Sequence, residues 1–313
     1  MVLKIINKNF EAGTKGSVKI DIADLPSGTK INLPVHVFRS EKEGPILLIC
    51  AGLHGDEVNG IEIVRQTLVK QFYQNLRCGS VVVMPLINIY GFINFSREVP
   101  DGKDVNRSFP GSKKGSLAAQ VANVLSKTIF PQIDYAIDFH TGGASRYNYP
   151  QIRYTIDDEQ SKELAVAFGA PAMLGNRVIE KSFRQEAIKQ GKSTIVFEGG
   201  ESLRYDGFSI DMALKGIKNI LQHLNMTKRE KETDPIQTHK FTKTTWQRAE
   251  SSGLFIWEKS SGIFIKQDEV LGSIHDPHNN YQIDVKALRD GYILGHNNAT
   301  VVNQGDALFH LAW

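Results

Sequence analysis

Residues 45–60 read PILLICAGLHGDEVNG, and this stretch decides the fold. Ile46 to Ala51 is an unbroken apolar run of strand length, the texture of a β-strand buried on both faces. Gly52 ends it. Beyond Gly55 the period lengthens: Val58, Ile61, Val64, Leu68 and Phe72 recur every three or four positions, which predicts one buried face of a helix. His54 then falls at the strand's carboxyl end and Glu57 in the first helical turn. An imidazole and a carboxylate so spaced can address one centre, as a divalent metal requires. Taken alone, H-x-x-E fits equally well a surface histidine beside a first-turn glutamate favoured by the helix dipole.

The 313 residues suffice for one large core and a smaller module. With 41% hydrophobic and 23% charged residues, disorder of the whole chain is excluded. A net charge of +3 makes no case for nucleic acid or an anionic membrane, and no basic block is interleaved with aromatics. Cys50 and Cys78 are too few for a disulfide scaffold, and Cys50, inside the apolar run, reads as a small buried side chain. The opening MVLKIINKNFEAG lacks the apolar core of a signal peptide, and no later segment resembles a membrane span. A cytoplasmic protein is expected.

Residues 1–44 carry two or three β segments, with alternation at Val18–Ile22 and Ile31–Phe38 around a Ser27-Gly28 turn. After the organising strand and helix, Ser80–Ile87 reads as a strand. A long polar stretch, Asn88–Gly115, follows, and loops of that length without periodicity are usually functional or disordered. Ser116 caps a helix striped by Leu117, Val121, Leu125 and Ile129. A strand at Ile133–Phe139 ends in Asp138-Phe139-His140. Strands at Gln151–Ile156, Ala172–Leu174 and Ser193–Phe197 then alternate with helices at Glu159–Phe168, Phe183–Lys189 and Ile210–Leu224. The pattern predicts an α/β domain at 1–235, its β lead-in at 1–44, with a largely parallel sheet flanked by helices. Thr227–Asp234, TKREKETD, reads as a solvated linker. From 244 to 313, glycines punctuate short β segments with no helical period, so a small all-β module is expected.

His54, His140 and Glu198 all fall at predicted strand ends, where open α/β sheets form their ligand crevice. Two imidazoles and a carboxylate from His54, Glu57 and His140 suit one Zn²⁺, with a fourth position left for water whose pKa falls toward about 7. Asp138 shares a strand face with His140 and can accept its second N–H. Glu198, before Gly199 and Gly200, can take a proton from that water and pass it to a leaving amine, while the glycines allow close backbone approach to a substrate. In the long loop, Arg97, Asn106 and Arg107 supply two guanidiniums and an amide. One guanidinium can stabilise an oxyanion, and the other, with the amide, can clamp a carboxylate.

Four motifs, HGDE at 54–57, DVNRSFPG at 104–111, DFHTG at 138–142 and EGG at 198–200, resemble the succinylglutamate desuccinylase/aspartoacylase family, relatives of the zinc carboxypeptidases. The similarity runs over roughly residues 30–313. It implies a zinc-carboxypeptidase-like fold, zinc held by His54, Glu57 and His140, and Glu198 as general base. It also implies Arg97 as the carbonyl-polarising residue and Asn106 with Arg107 as the carboxylate clamp. Some members use a further arginine before the catalytic glutamate and a late tyrosine; Arg184 and Tyr292 lie nearest but match no motif, so those roles are not transferred. The C-terminal module resembles a biotinyl/lipoyl-like barrel-sandwich. Its hairpin tip, Asp276–Asn280, has no lysine, which argues against a carrier task, and His275 and His278 read as turn residues.

The expected activity is a zinc-dependent deacylase, with one zinc per chain, that hydrolyses the amide of an N-acyl amino acid or similar small carboxylate by zinc-activated water. A metallocarboxypeptidase acting on short peptides is the enzyme alternative, and a metal-free small-molecule binding protein is the alternative from another class. Neither nucleic acid nor membrane is expected as a partner, and homo-oligomerisation is left open.

Overall fold

The apolar run at 46–51 lies in the middle of the molecule, with every position from Leu47 to Ala51 buried, as a strand covered on both faces must be. The computed structural model describes residues 3–24, 27–229 and 236–313. Most of the expected linker, 230–234, lies outside the described residues. Strands β1 (Leu3–Ile5) and β2 (Lys8–Phe10) pair with each other, and β3 (Lys15–Asp24) and β4 (Lys30–Arg39) form a hairpin. Next come β5 (Ile46–Ala51), α1 (Val58–Val69), β6 (Ser80–Met84), α2 (Ile89–Ile93) and α3 (Leu117–Val124). They are followed by β7 (Tyr135–Gly142), β8 (Arg146–Thr155), α4 (Glu159–Phe168), β9 (Ala172–Asn176), α5 (Phe183–Lys189), β10 (Ser193–Glu201) and α6 (Gly207–His223). Beyond residue 236 the described elements are all strands: β11 (His239–Phe241), β12 (Thr244–Arg248), β13 (Gly253–Trp257), β14 (Phe264–Ile265) and β15 (Val270–His275), then β16 (Gln282–Lys286), β17 (Gly291–Asn297), β18 (Val301–Val302) and β19 (Ala307–Ala312).

Thirteen strands make one mixed sheet whose main path runs β12-β19-β17-β8-β10-β7-β5-β6-β4-β3. The expectation of a largely parallel sheet holds for its centre, where β6, β5, β7 and β10 run parallel, and for the side branch in which β9 runs parallel to both β8 and β11. Each parallel step there has a helical connection long enough to cross over. The β3–β4 hairpin reverses the chain, so β3 pairs antiparallel with β4 and β4 with β6, and the short turn after β7 reverses β8, which pairs antiparallel with β10. On the β8 side the sheet continues into the last part of the chain through β17, β19 and β12. Strands β13, β15, β16 and β18 form a separate four-stranded sheet. Phe255, Leu271, Ile274, Leu308 and Phe309 make the core of this C-terminal part. At its hairpin tip the Asp276 carboxylate accepts from the backbone N–H of His278 and of Asn280, so this is a capped turn.

Helix starts follow the sequence signals: Ser116, Asp158, Ser182 and Asp206 each accept a backbone N–H three residues ahead. The face of α1 does not follow the expected stripe. Asn59, Gly60, Ile63, Val64 and Thr67 are buried, whereas Val58, Ile61 and Leu68 are only partly so. Gly60 explains the rotation, because a Cβ there would stand 2.7 Å from the Phe139 carbonyl oxygen of β7. The helix turns its smallest residue to the sheet and comes closer than an apolar stripe would allow. Gly60→Ala should therefore lower the unfolding free energy by about 1–3 kcal/mol in urea titrations, although alanine gains about 1 kcal/mol of helix propensity. An unchanged or higher midpoint would mean that β7 yields to the methyl group without strain.

Candidate active site

The turn after β5 carries His54, and Glu57 stands at the N-cap of α1, one residue outside the turn where it is expected. Its own side chain caps nothing, which leaves the carboxylate available elsewhere. Gly55 lets another segment approach: a Cβ there would lie 2.0 Å from the Gly91 carbonyl carbon. Helix α2 docks on this turn backbone to backbone, and the Asn88 side chain holds the loop beyond it by donating to the Arg97 carbonyl at 3.2 Å. His140 and Glu198 do not end their strands as expected. β7 runs on to Gly142 and β10 to Glu201, with a register shift after Glu198. The two residues lie directly opposite each other.

His54, Glu57 and His140 converge, with one ligand atom of each inside a 4.8 Å span. Glu57 Oε1 is 2.7 Å from His54 Nδ1 and Glu57 Oε2 is 2.8 Å from His140 Nδ1. The two Nδ1 atoms are 3.1 Å apart. The other nitrogen of each ring faces a carboxylate: His140 Nε2 lies 2.8 Å from Asp138 Oδ2, and His54 Nε2 3.3 Å from Asp104 Oδ1, the latter off the axis of a hydrogen bond. The donor set fits a divalent cation. Inward-facing nitrogen lone pairs at such a distance repel unless positive charge sits between them, and the outer carboxylates orient the rings as metal-bound imidazoles require.

The charge balance points the same way. Burial disfavours ionisation of Glu57, yet His54 and His140 outweigh it and hold the carboxyl well below its ordinary range. Burial likewise opposes charge on both imidazoles, while the surrounding carboxylates, Asp138 and Glu57 for His140, Glu57 and Asp104 for His54, drive both upward. The pocket calls for cationic charge, which protons or a metal can supply.

Arg97 is pinned beside this centre. Its Nε and Nη2 donate to Asp104 Oδ2 at 3.2 and 2.8 Å, and its Nη1 lies 3.4 Å from Glu57 Oε1. Glu198 accepts from Asn148 Nδ2 at 2.9 Å and faces Arg153 Nη1 at 3.6 Å. The glycines after it serve the protein's own packing. A Cβ at Gly199 would strike the Phe197 ring, and one at Gly200, with φ +83°, would strike the Asn59 amide. Asn106 Oδ1 is engaged with the Phe183 N–H of α5 at 2.8 Å, so only its Nδ2 can serve a ligand. Arg107 is exposed and bonds its neighbour's carbonyl, Asn106 O, at 2.7 Å.

All seven expected site residues, His54, Glu57, His140, Glu198, Arg97, Asn106 and Arg107, line one cavity of about 400 Å³. Arg184 also lines it; burial first and Arg153 second push its pKa down to about 10, and its buried Nη1 has no partner. Tyr292 lies elsewhere, buried against Phe241, Phe264 and His239. Sequence reasoning missed Asp104 as a brace, Asn148 and Arg153 as partners of Glu198, and Trp246 as a lining residue. Asp104 stands in a quoted motif, but an acid in a polar loop carries no sign of which cation it will meet.

A sequence model described as the succinylglutamate desuccinylase/aspartoacylase catalytic domain matches residues 43–224. An N-alpha-acetyl-L-2,4-diaminobutyric acid deacetylase from Halomonas elongata is 27% identical over 97% of this chain and 93% of its own. A succinylglutamate desuccinylase/aspartoacylase crystal structure from Rhodobacter sphaeroides superposes with a TM-score of 0.87 at 23% identity, covering 100% of this chain and 99% of that one. A product-bound ectoine utilization protein from Ruegeria pomeroyi gives 0.85 at 22%, covering 100% and 98%. At these identities the two structures establish likeness of fold.

The outer carboxylate of His140 offers a direct test of the metal fit. Asp138→Asn should weaken divalent-metal affinity about 10–100-fold in competition with a chromophoric chelator. Unaltered affinity would remove Asp138 from the support of the site.

Proposed function

The chain belongs to the succinylglutamate desuccinylase/aspartoacylase family, and from that premise we propose that it is a zinc-dependent deacylase acting on an N-acyl amino acid or similar small carboxylate. The observation that carries this reading is the convergence of the metal-ligand set, Glu198 and the arginines on a single cavity. The curated relative named as a deacetylase of an N-acetylated amino acid extends over nearly the whole chain and supports amide cleavage. The cavity, about 400 Å³, is at the small end of ligand sites, which suits a small substrate. Five arginines (97, 107, 146, 153 and 184) against three carboxylates (57, 138 and 198) line it, an excess that draws in an anion.

In this proposal His54, Glu57 and His140 hold one Zn²⁺. When bound, the ion supplies Lewis acidity, making a water acidic enough to act as nucleophile near neutral pH. Arg97, fixed by Asp104, directs its guanidinium charge beside the ligand cluster, where the carbonyl oxygen gains negative charge during attack. Because Asp104 already holds that side chain, little reorganisation is needed. Glu198 takes a proton from the attacking water and returns one to the departing amine, with Asn148 fixing the carboxylate's rotamer. Asn106 Nδ2 and Arg107 grip the substrate carboxylate, and the unpartnered Nη1 of Arg184 adds a donor. We assign this chemistry to residues 1–235 and the covering of the site's far side to a barrel-sandwich-like module at 244–313, in a cytoplasmic protein.

The primary experiment incubates the zinc-loaded protein with a panel of N-acetyl and N-succinyl amino acids and follows amine release. Turnover should vanish with chelator and return with zinc; failure on the whole panel would sink the proposal. Glu198→Gln should lower kcat at least about 10²-fold with metal content unchanged, so near-normal turnover in a zinc-loaded variant would exclude the proton-transfer role. The loop arginines should separate kinetically. Arg107→Ala removes a contact made in ground and transition states alike and should chiefly raise KM, whereas Arg97→Ala should chiefly lower kcat. The opposite pattern would mean their roles are exchanged.

A further inference from the structure

A row of paired residues crosses the sheet from the metal-ligand cluster to its far edge. His140 of β7 faces Glu198 of β10, Glu198 faces Gln151 of β8, and beyond the register shift Gly200 faces Asn148, whose amide reaches back to Glu198. Asn148 faces Gly295 of β17, Gly295 faces His310 of β19, and His310 faces Trp246 of β12. Gly295 has a reason to lack a side chain: a Cβ there would stand 2.7 Å from the Tyr147 carbonyl oxygen and 2.8 Å from Asn148 Oδ1, and Asn148 is the residue that reaches Glu198. The row thus ties the C-terminal strands to the proton-transfer carboxylate.

At the end of the row the indole of Trp246 stacks on the imidazole of His310, with ring centroids 4.6 Å apart and planes 11° from parallel. His310 is buried, and burial, helped by Arg153, pushes its pKa down to about 3, so the ring is neutral and serves as a flat backing. Trp246 is half-buried and lines the same cavity as His54 and Glu198. Among the described residues beyond 236 it is the one that does so, and its apolar companions in the lining are Ile179 and Val196. A large aromatic surface in a cavity otherwise crowded with charge is suited to bounding carbon rather than binding an anion.

The row also gives a direction. If amide cleavage occurs as set out above, the carbonyl under attack lies on the side of His140, Glu57 and Arg97. The departing nitrogen must lie by Glu198 to receive its proton. Trp246 stands beyond Glu198, so the atoms that meet it belong to the amine half of the substrate. We propose that Trp246, braced by His310, is the specificity-determining wall for the released amino acid and limits the length of its side chain. This inference rests on the deacylase reading.

The test compares zinc-loaded wild type with Trp246→Ala and Trp246→Leu on two substrate series. The first keeps the acetyl group and lengthens a neutral, unbranched side chain from N-acetyl-L-alanine through norvaline to norleucine. The second keeps alanine and lengthens the acyl group from acetyl to hexanoyl. In wild type kcat/KM should fall along the first series. In Trp246→Ala the norleucine-to-alanine ratio should rise at least roughly tenfold, since one methylene in a fitted pocket is worth about that much or more. Trp246→Leu, which retains apolar bulk on the edge strand and protects against misfolding of the alanine variant, should move the ratio the same way by less. Ratios along the acyl series should stay within about twofold. Unchanged side-chain ratios in a folded, active variant would overturn the assignment, as would a gain confined to the acyl series. A zinc-loaded wild type that cleaves no N-acyl amino acid would overturn the deacylase reading itself and the wall with it, an outcome distinct from an active enzyme with unchanged ratios.

Discussion

A buried carboxylate holds the site together. Glu57 is 1% exposed, and an uncompensated charge at such a position costs several kcal/mol, of order the net stability of a domain. His54 compensates it from the turn after β5 and His140 from within β7, and the Thr141 N–H adds a donor at 3.1 Å. Asp104 and Asp138 then hold the outer edges of the same rings. Each acid is acceptable in the interior only because the next cation is in place. The cluster is therefore a chain of mutual dependence, closed by whatever positive charge occupies its centre.

That dependence reaches outward through backbone contact. Glu57 can lean into the site because α1 begins beside it, and α1 comes close to β7 because Gly60 has no side chain. Gly55 and Gly91 allow the loop carrying Arg97 to lie against the turn that carries His54. Asn59, two residues after Glu57, reaches β10 and the start of α6, donating to the Gly199 carbonyl at 3.4 Å and accepting from Asp206 N–H at 2.9 Å. Four segments distant in sequence are thus set in register within one turn of helix. Small residues and one amide do this work, and none of them touches the chemistry.

Around Glu198 the balance is reversed. Arg153 and Arg184 approach one carboxylate, and both retain a buried nitrogen without a partner, Nε and Nη1 respectively. Like charges crowded together in this way are tolerated where a ligand of opposite charge completes the set. The same side of the cavity is the one that the C-terminal strands extend, since β8 pairs with β10 and β17 alike. The second part of the chain is continuous with the catalytic sheet there, and its contribution to the cavity is an aromatic surface facing a charged one.

Much of this was legible in the linear chain because it depends on local order. The burial of Ile46–Ala51, the caps at Ser116 and Ser182 and the ligand spacing of His54 and Glu57 rest on residues within one turn or one strand of each other. The motifs at 104–111, 138–142 and 198–200 likewise singled out Asn106, Arg107, His140 and Glu198 as candidates through their resemblance to a family, whereas Arg97 lies outside all of them. The pairing of those patterns was decided elsewhere. Whether Asp104 meets Arg97 and His54, whether α1 buries Gly60 in place of Ile61, and whether Trp246 lines the same cavity as Glu198 depend on sheet order and on the closeness of two backbones. Periodicity records which side of an element is apolar. It does not record which neighbour lies across from it, because strand pairing is set by hydrogen bonds that every residue can make and by space that only the packed molecule defines.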